Sequence, residues 1–258
     1  MVPRALTIAT SDSGGGAGIQ ADLKAFAAAH CFGTSVLVAL TAQNTVAVTD
    51  VQTLPSAFVR AQLDAVFDDI GVDAAKTGML FSSELIETVA DFLDTHRVPL
   101  VVDPVMVASS GATLLQPDAV ESLVTRLFPR ATVVTPNAHE ARALAGVDAP
   151  SPELAERLHA LGARAVIVTG GHTEEPADHL FDGTSHVQIP ITRHDIAATH
   201  GAGCTHSATL AAHLARGASL VDAARAAAAA ANDAVRHGLV EIGAGDGPVD
   251  VLNVKGAA

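Results

Sequence analysis

Thr199-His200-Gly201-Ala202-Gly203-Cys204-Thr205-His206-Ser207 runs without interruption into the apolar stretch Ala208 to Ala215. Glycines at 201 and 203 keep Cβ atoms out of the way of an approaching ligand, and the helix that follows points its unpaired N–H groups back at the same spot. Such a corner attracts anions, because the dipole and the free donors both favour negative charge there. With a phosphoryl group bound there, the N–H groups around Gly201, Ala202 and Gly203 would offset the charge that develops on its transfer. Cys204 is a candidate reactive thiol, since a thiolate is favoured at a helix start. The plainer reading is a glycine turn and helix cap over a buried cysteine.

Outward from this stretch the chain repeats one theme, a buried strand ending in a polar or glycine-rich corner that opens a helix. Ala5 to Ala9 reads as a strand, Ser11 to Gly18 as a glycine loop and Ile19 to Ala29 as a helix. A dinucleotide fingerprint around Gly16-Ala17-Gly18 would need an acidic residue at the end of the next strand. That strand, Ser35 to Leu40, ends instead in Thr41-Ala42-Gln43-Asn44, neutral amides suited to a heterocycle or simply to a turn. Leu100-Val101-Val102 stops at Asp103, a carboxylate where open α/β sheets place ligands, suited to a phosphate-bound Mg²⁺ or to a turn before Pro104. Thr132 to Thr135 leads into Asn137 and Glu140, whose spacing fits a capping box or, alternatively, a Glu140 that holds Mg²⁺ through water. Val166 to Val168 ends in Thr169-Gly170-Gly171-His172, and Ala177 to Asp195 reads as a hairpin around Asp182-Gly183. With helices expected at 58–70, 84–94, 117–127, 151–161 and 220–237, the alternation predicts one three-layer α/β/α domain over 1–258, its mostly parallel sheet carrying an antiparallel edge hairpin.

The totals exclude several classes. At 258 residues with 49% hydrophobic and 17% charged content, the chain can bury a sizeable core. A net charge of -13, with lysine only at 24, 76 and 255, argues against a nucleic-acid partner. No apolar run approaches a membrane span and no leader is evident, so the expected location is cytoplasmic. Two cysteines, Cys31 and Cys204, fit a reducing compartment. The 12 histidines lack zinc-site spacing, so no transition metal is assigned.

In order along the chain, Ser11 to Lys24, Leu40 to Thr45, Lys76 to Leu80, Val102 to Val107, Thr135 to Asn137 with Glu140, Thr199 to Thr205 and the closing Gly245 to Val249 resemble the hydroxymethylpyrimidine/phosphomethylpyrimidine kinases, members of the ribokinase-like family. The resemblance implies ATP-dependent phosphorylation of a hydroxymethylpyrimidine and of its monophosphate, with ATP and Mg²⁺ as cofactors and a homodimer as the assembly. It implies that Gly201 to Cys204 form the anion hole, that Cys204 is the base and that Gln43 reads the pyrimidine. Thr10, Asp12, Gly15, Ala17, Asp22, Met79 and Val107 would surround that ring. Asp103, Asn137, Thr169, Gly171 and Thr205 would face ATP, and Glu140 with Asp103 would serve Mg²⁺.

The chain also departs from that pattern. Relatives carry lysine where it has Thr169 and Ser109, and glycine where it has Thr10, which predicts weaker catalysis unless Mg²⁺ or an arginine such as Arg193 compensates. A pyridoxal kinase on the same scaffold, or a degenerate pyrimidine- or nucleotide-binding protein, are the rival readings.

Overall fold

The computed structural model describes residues 1–106, 117–171 and 176–257. Its elements in order are β1 (Arg4–Asp12), α1 (Gly18–Ala28), β2 (Phe32–Gln43), β3 (Val48–Thr53), α2 (Ser56–Ala65), β4 (Ala74–Thr77), α3 (Ser83–Thr95), β5 (Leu100–Val102), α4 (Pro117–Ser122), β6 (Val133–Val134), α5 (Ala138–Ala145), α6 (Ser151–Ala160), β7 (Val166–Val168), β8 (Ala177–Phe181), β9 (His186–Pro190), α7 (Ala202–Ala215) and α8 (Leu220–Arg236). One nine-stranded sheet runs through them in the order β3-β2-β1-β4-β5-β6-β7-β8-β9. The central pairs are parallel, while β3 on one edge and the β8–β9 hairpin on the other are antiparallel.

Strand alternation sorts the core into two layers, because successive side chains point to opposite faces. Leu6, Ile8, Val102, Val134, Val166 and Val168 pack with α2 to α6 on one face. Ala5, Val101, Val133 and Ile167 pack with α1, α7 and α8 on the other. The alanines of α8 that are buried, 223, 224, 227, 228 and 234, recur at helical spacing, and their small size lets α8 lie close against α7. The sheet is thus covered on both faces, as its continuous apolar strands require.

The chain leaves β1 for β2 on one side and later returns to β4 on the other. This reversal opens a crevice outside the carboxyl ends of β1 and β4, where ligands of open α/β sheets bind. Two backbone irregularities sharpen the crevice wall. The β1–β2 register shifts between Ala9 and Ser11, and the β2–β3 register shifts between Ala42 and Gln43. Bulges re-aim side chains, and these two fall at Thr10 and Gln43.

Three expectations are corrected. The polar stretch after Gln43 is not only a turn, because it returns as β3, whose exposed alternation at Thr49, Asp50 and Gln52 hid a strand pattern. The helix expected to run to Ile70 is α-helical only to Ala65, and a π turn takes Val66 to Ile70 into Gly71 at φ 77°. The helix expected from Ala208 begins already at Ala202, which places Cys204 in its first turn, at the helix start as expected.

Candidate active site

Asp12 closes the end of β1. Its Oδ1 accepts the N–H of Gly14 at 2.7 Å, and its Oδ2 accepts those of Gly16 at 3.1 Å and Ala17 at 2.8 Å. The His200 Nε2 lies 3.0 Å from the same Oδ2, and the Gln43 Nε2 lies 3.5 Å from the ring. Burial alone would raise the Asp12 carboxyl, but His200 and the N–H groups of Ala17 and Gly14 outweigh it and hold the group below its ordinary value. One carboxylate therefore folds the glycine loop and fastens it to the 199–207 stretch. The fit is close: a Cβ on Gly201, at φ 87°, would lie 1.8 Å from the Gly16 carbonyl, and one on Gly16 would lie 2.3 Å from the His200 ring. Asp246 holds the stretch from behind through the Thr199 N–H and hydroxyl. Beside it Gln43, Asn44, His200 and Asp246 line part of a cleft of about 280 Å³.

At the mouth of α7 the Ala202 N–H is taken by the Thr199 carbonyl at 3.0 Å, and Thr205 bonds back to Gly201 through both its N–H and its hydroxyl. Among the described residues no hydrogen bond engages the N–H of Gly203 or Cys204. Among the described residues the free donors are thus those of 201, 203 and 204, not 202, and a Cβ on Gly203 would meet nothing within 4 Å. Beneath them lies a buried ionic group. The Lys76 ammonium, wholly buried, sits 2.8 and 2.9 Å from the two oxygens of Asp22 and 3.9 Å from Asp103 Oδ2. Thr7 donates to Asp22 at 2.6 Å and Ser207 to Asp103 at 2.8 Å. Burial opposes the charge on Lys76, but Asp22, Cys204 and Asp103 raise its pKa, so it stays charged.

Cys204 departs from the expectation of a thiolate. Burial pushes the thiol up to about 12; Lys76 and the Gly18 N–H pull the other way, while Asp22 and Asp103 add to the rise. Burial, with the two carboxylates adding to it, prevails over Lys76 and the Gly18 N–H, and in the ligand-free protein Cys204 is a protonated thiol.

The capping-box reading of Asn137 and Glu140 is correct: the Asn137 side chain accepts the N–H groups of His139 and Glu140, and Glu140 Oε2 accepts that of Asn137 at 3.0 Å. The other Glu140 oxygen accepts the Met106 N–H at 3.3 Å. Burial and the neighbouring Asp103 raise the Glu140 carboxyl to about 8, against the pull of the Asn137 and Met106 N–H groups. Two carboxylates that repel each other beside a crevice suit a hard divalent cation with oxygen ligands, completed by water and phosphate. Among the described residues no group of three or more His, Cys, Asp or Glu side chains is placed to hold a metal alone. Asn137 also bridges to Thr169, which joins the carboxyl ends of β6 and β7, and Gly171 beyond it is exposed.

The sequence-selected residues fall into three groups. Gln43, Gly15, Ala17 and Met79 stand around the crevice with Asp12, while the Thr10 hydroxyl is turned onto the Met79 carbonyl at 3.1 Å. Asp22 and Thr205 are sealed in the floor, with their polar atoms engaged by Lys76, Thr7 and Gly201, so neither presents a free group to a ligand. Val107, Ser109 and His172 lie outside the described residues. Sequence reasoning gave no site role to Lys76, His200, Ser207 or Asp246. The quoted stretches contained all four, and a lysine so rare in this chain was the available signal. A cleft of about 340 Å³ among Arg97, Arg130 and Arg164 lies at the amino ends of β5 to β7, away from this chemistry.

Free donors at a helix mouth, a buried cation under them and carboxylates beside them, all outside the carboxyl ends of a mostly parallel sheet, define a kinase of the ribokinase-like α/β class. A family model described as phosphomethylpyrimidine kinase matches residues 12–250, and the chain belongs to that family. It is 49% identical over 257 residues to the hydroxymethylpyrimidine/phosphomethylpyrimidine kinase of Rhizobium meliloti, covering 96% of this chain and 97% of that one. Among solved structures it resembles an ADP complex of Bacillus subtilis pyridoxal kinase, with a TM-score of 0.88 and 37% identity over 98% of this chain and 100% of that one. It also resembles the phosphomethylpyrimidine kinase of Clostridium difficile, with a TM-score of 0.79 and 37% identity over 89% and 97% of the two chains.

Proposed function

We propose that the chain transfers the γ-phosphoryl group of ATP to the hydroxymethyl group of 4-amino-5-hydroxymethyl-2-methylpyrimidine, and then to the resulting monophosphate, in thiamine biosynthesis. One observation carries the reading: the unengaged N–H groups of Gly203 and Cys204 open beside the corner built by Asp12, His200 and Gln43. Phosphoryl transfer needs positioning and charge neutralisation more than covalent chemistry. In this reading the Gly203 and Cys204 amides hold the oxygens of the transferring group, and Lys76 supplies positive charge from below. Gln43 orients the pyrimidine against Met79 and the glycine loop. Asn137, Thr169 and Gly171 face the nucleotide, and Asp103 with Glu140 holds Mg²⁺ partly through water. Mg²⁺ there neutralises phosphate charge. Cys204 takes the acceptor hydroxyl proton only as the thiolate, after its own proton has passed to solvent. A cytoplasmic homodimer goes with this assignment.

Pyridoxal is the second acceptor to consider, because a pyridoxal kinase superposes along almost the whole chain. An assay of ADP release with the hydroxymethylpyrimidine, its monophosphate and pyridoxal as separate acceptors tests both readings. Turnover on the two pyrimidines above that on pyridoxal is expected. ADP release that is indifferent to any acceptor would remove the kinase assignment, and a preference for pyridoxal would replace the substrate.

A further inference from the structure

We infer that His206 is a positioning residue for the nucleotide, which through Asp178 fixes the turn Thr169-Gly170-Gly171 relative to the mouth of α7. His206 follows Cys204 by two residues on α7 and is 4% exposed; Asp178, on β8, is 2% exposed. The His206 Nε2 lies 3.0 Å from Asp178 Oδ2, and the other oxygen accepts the Gly170 N–H at 3.1 Å. A carboxylate only accepts, so Nε2 carries the ring proton. Helix, strand and turn are thereby joined through one buried carboxylate. Gly170 is pressed onto the same strand, since a Cβ there would lie 1.9 Å from the Ala177 carbonyl. On its other side the turn is held by the Thr169 N–H on the Pro136 carbonyl at 2.9 Å.

Simple core filling does not account for this ring. The His206 Nδ1 is buried with no hydrogen-bond partner among the described residues, an unsatisfied atom that an apolar side chain would avoid. What the ring provides is the bond to Asp178. That bond matters more here because residue 169 is an uncharged threonine. With the N–H groups of 169 and 170 engaged, a turn without a cation holds phosphate through the Gly171 N–H and the Thr169 hydroxyl, whose aim depends on where the main chain is set.

The inference rests on the reading that this turn faces ATP. The test compares His206→Leu, His206→Gln and Asp178→Asn with the parent by KM for ATP, KM for the pyrimidine, ADP affinity by calorimetry and Tm. His206→Leu is expected to raise the KM for ATP and weaken ADP binding by about ten-fold, the scale of one lost charge-assisted hydrogen bond, with the KM for pyrimidine within about two-fold. His206→Gln, whose amide can donate to Asp178, is expected to recover most of the loss. Equal rises in both KM values, or a lowered Tm with unchanged ADP affinity, would overturn the inference. If the leucine variant fails to fold, Asp178→Asn decides by the same split. If the parent binds ADP but turns over no pyrimidine, the proposed function fails, while the ADP measurements still decide the role of His206.

Discussion

The Asp12 carboxylate and the His200 ring, 188 positions apart in sequence, meet at 3.0 Å and join the first loop of the chain to the last functional one. Because Gln43 adjoins the same ring, this contact sets the acceptor side of the site. Asp12→Asn and His200→Ala should lower kcat/KM for the pyrimidine by about 10- to 100-fold, with a smaller change in the KM for ATP. The sign with pH follows from the lowered Asp12 pKa: its contribution to stability is present above the ordinary carboxylate value and is lost as pH falls through the folded value. Thermal unfolding should therefore show a shallower acid limb for Asp12→Asn below about pH 4.

Gly201 and Gly203 separate folding from chemistry. Gly201→Ala forces a Cβ into the Gly16 carbonyl at positive φ, and it should destabilise the protein by at least about 2 kcal/mol in denaturant unfolding. Gly203→Ala meets nothing and adds helix propensity, so stability should hold or rise by up to about 1 kcal/mol. Its methyl group nevertheless stands where phosphate would approach the free N–H groups, and kcat should fall at least about ten-fold. An active Gly203→Ala enzyme would count against the anion hole.

Lys76→Met leaves Asp22 buried without its cation, which should cost about 3–5 kcal/mol of stability. Adding Asp22→Asn to that variant should return part of the loss, because the uncompensated charge is then gone. Activity should not return with it, since the positive charge beneath the anion hole is still missing. Chemical denaturation and turnover, measured on both variants, separate the two effects.

Glu140 gives the site a pH dependence of its own. With a folded pKa of about 8 it keeps a proton at neutral pH and must release it to hold a cation. The Mg²⁺ requirement should tighten as pH rises from 7 to 9, and Glu140→Gln should abolish that trend. Without Mg²⁺, stability should decline as pH rises from the ordinary glutamate value towards 8, because over that range the folded form keeps a proton that the unfolded form has lost. Calorimetric Mg²⁺ titration and thermal unfolding across that range check both signs.

The raised Cys204 thiol makes alkylation a reporter. In the ligand-free protein the rate of iodoacetamide labelling at Cys204 should still be rising at about pH 10, beyond where an ordinary thiol levels off. Cys204→Ala should lower kcat by about 100-fold or more if the thiol takes the acceptor proton. Fast labelling at neutral pH would show that burial does not hold this thiol protonated.

Much of the architecture was legible because buried parallel strands such as Leu100 to Val102 and Val166 to Val168 are continuous apolar runs ending in Asp103 or Thr169. β3 escaped because an exposed edge strand carries polar residues on both faces. In the site, glycine spacing located the turn that opens α7 but not which N–H groups stay free, since the bond from Ala202 to Thr199 is a matter of local geometry. The thiol was misjudged for a related reason. A helix start is visible in sequence, whereas the burial of the thiol, and the approach of Asp22 and Asp103 from separate elements, arise only in tertiary packing.

The contact between Gly16 and Gly201 also constrains how such an enzyme diversifies. Neither Gly16 nor Gly201 can accept a side chain while the facing stretch keeps its place, so single substitutions at these two positions are closed to selection. Changes in acceptor preference are then expected away from this joint, at Thr10 and Met79, which meet each other through the Thr10 hydroxyl on the Met79 carbonyl.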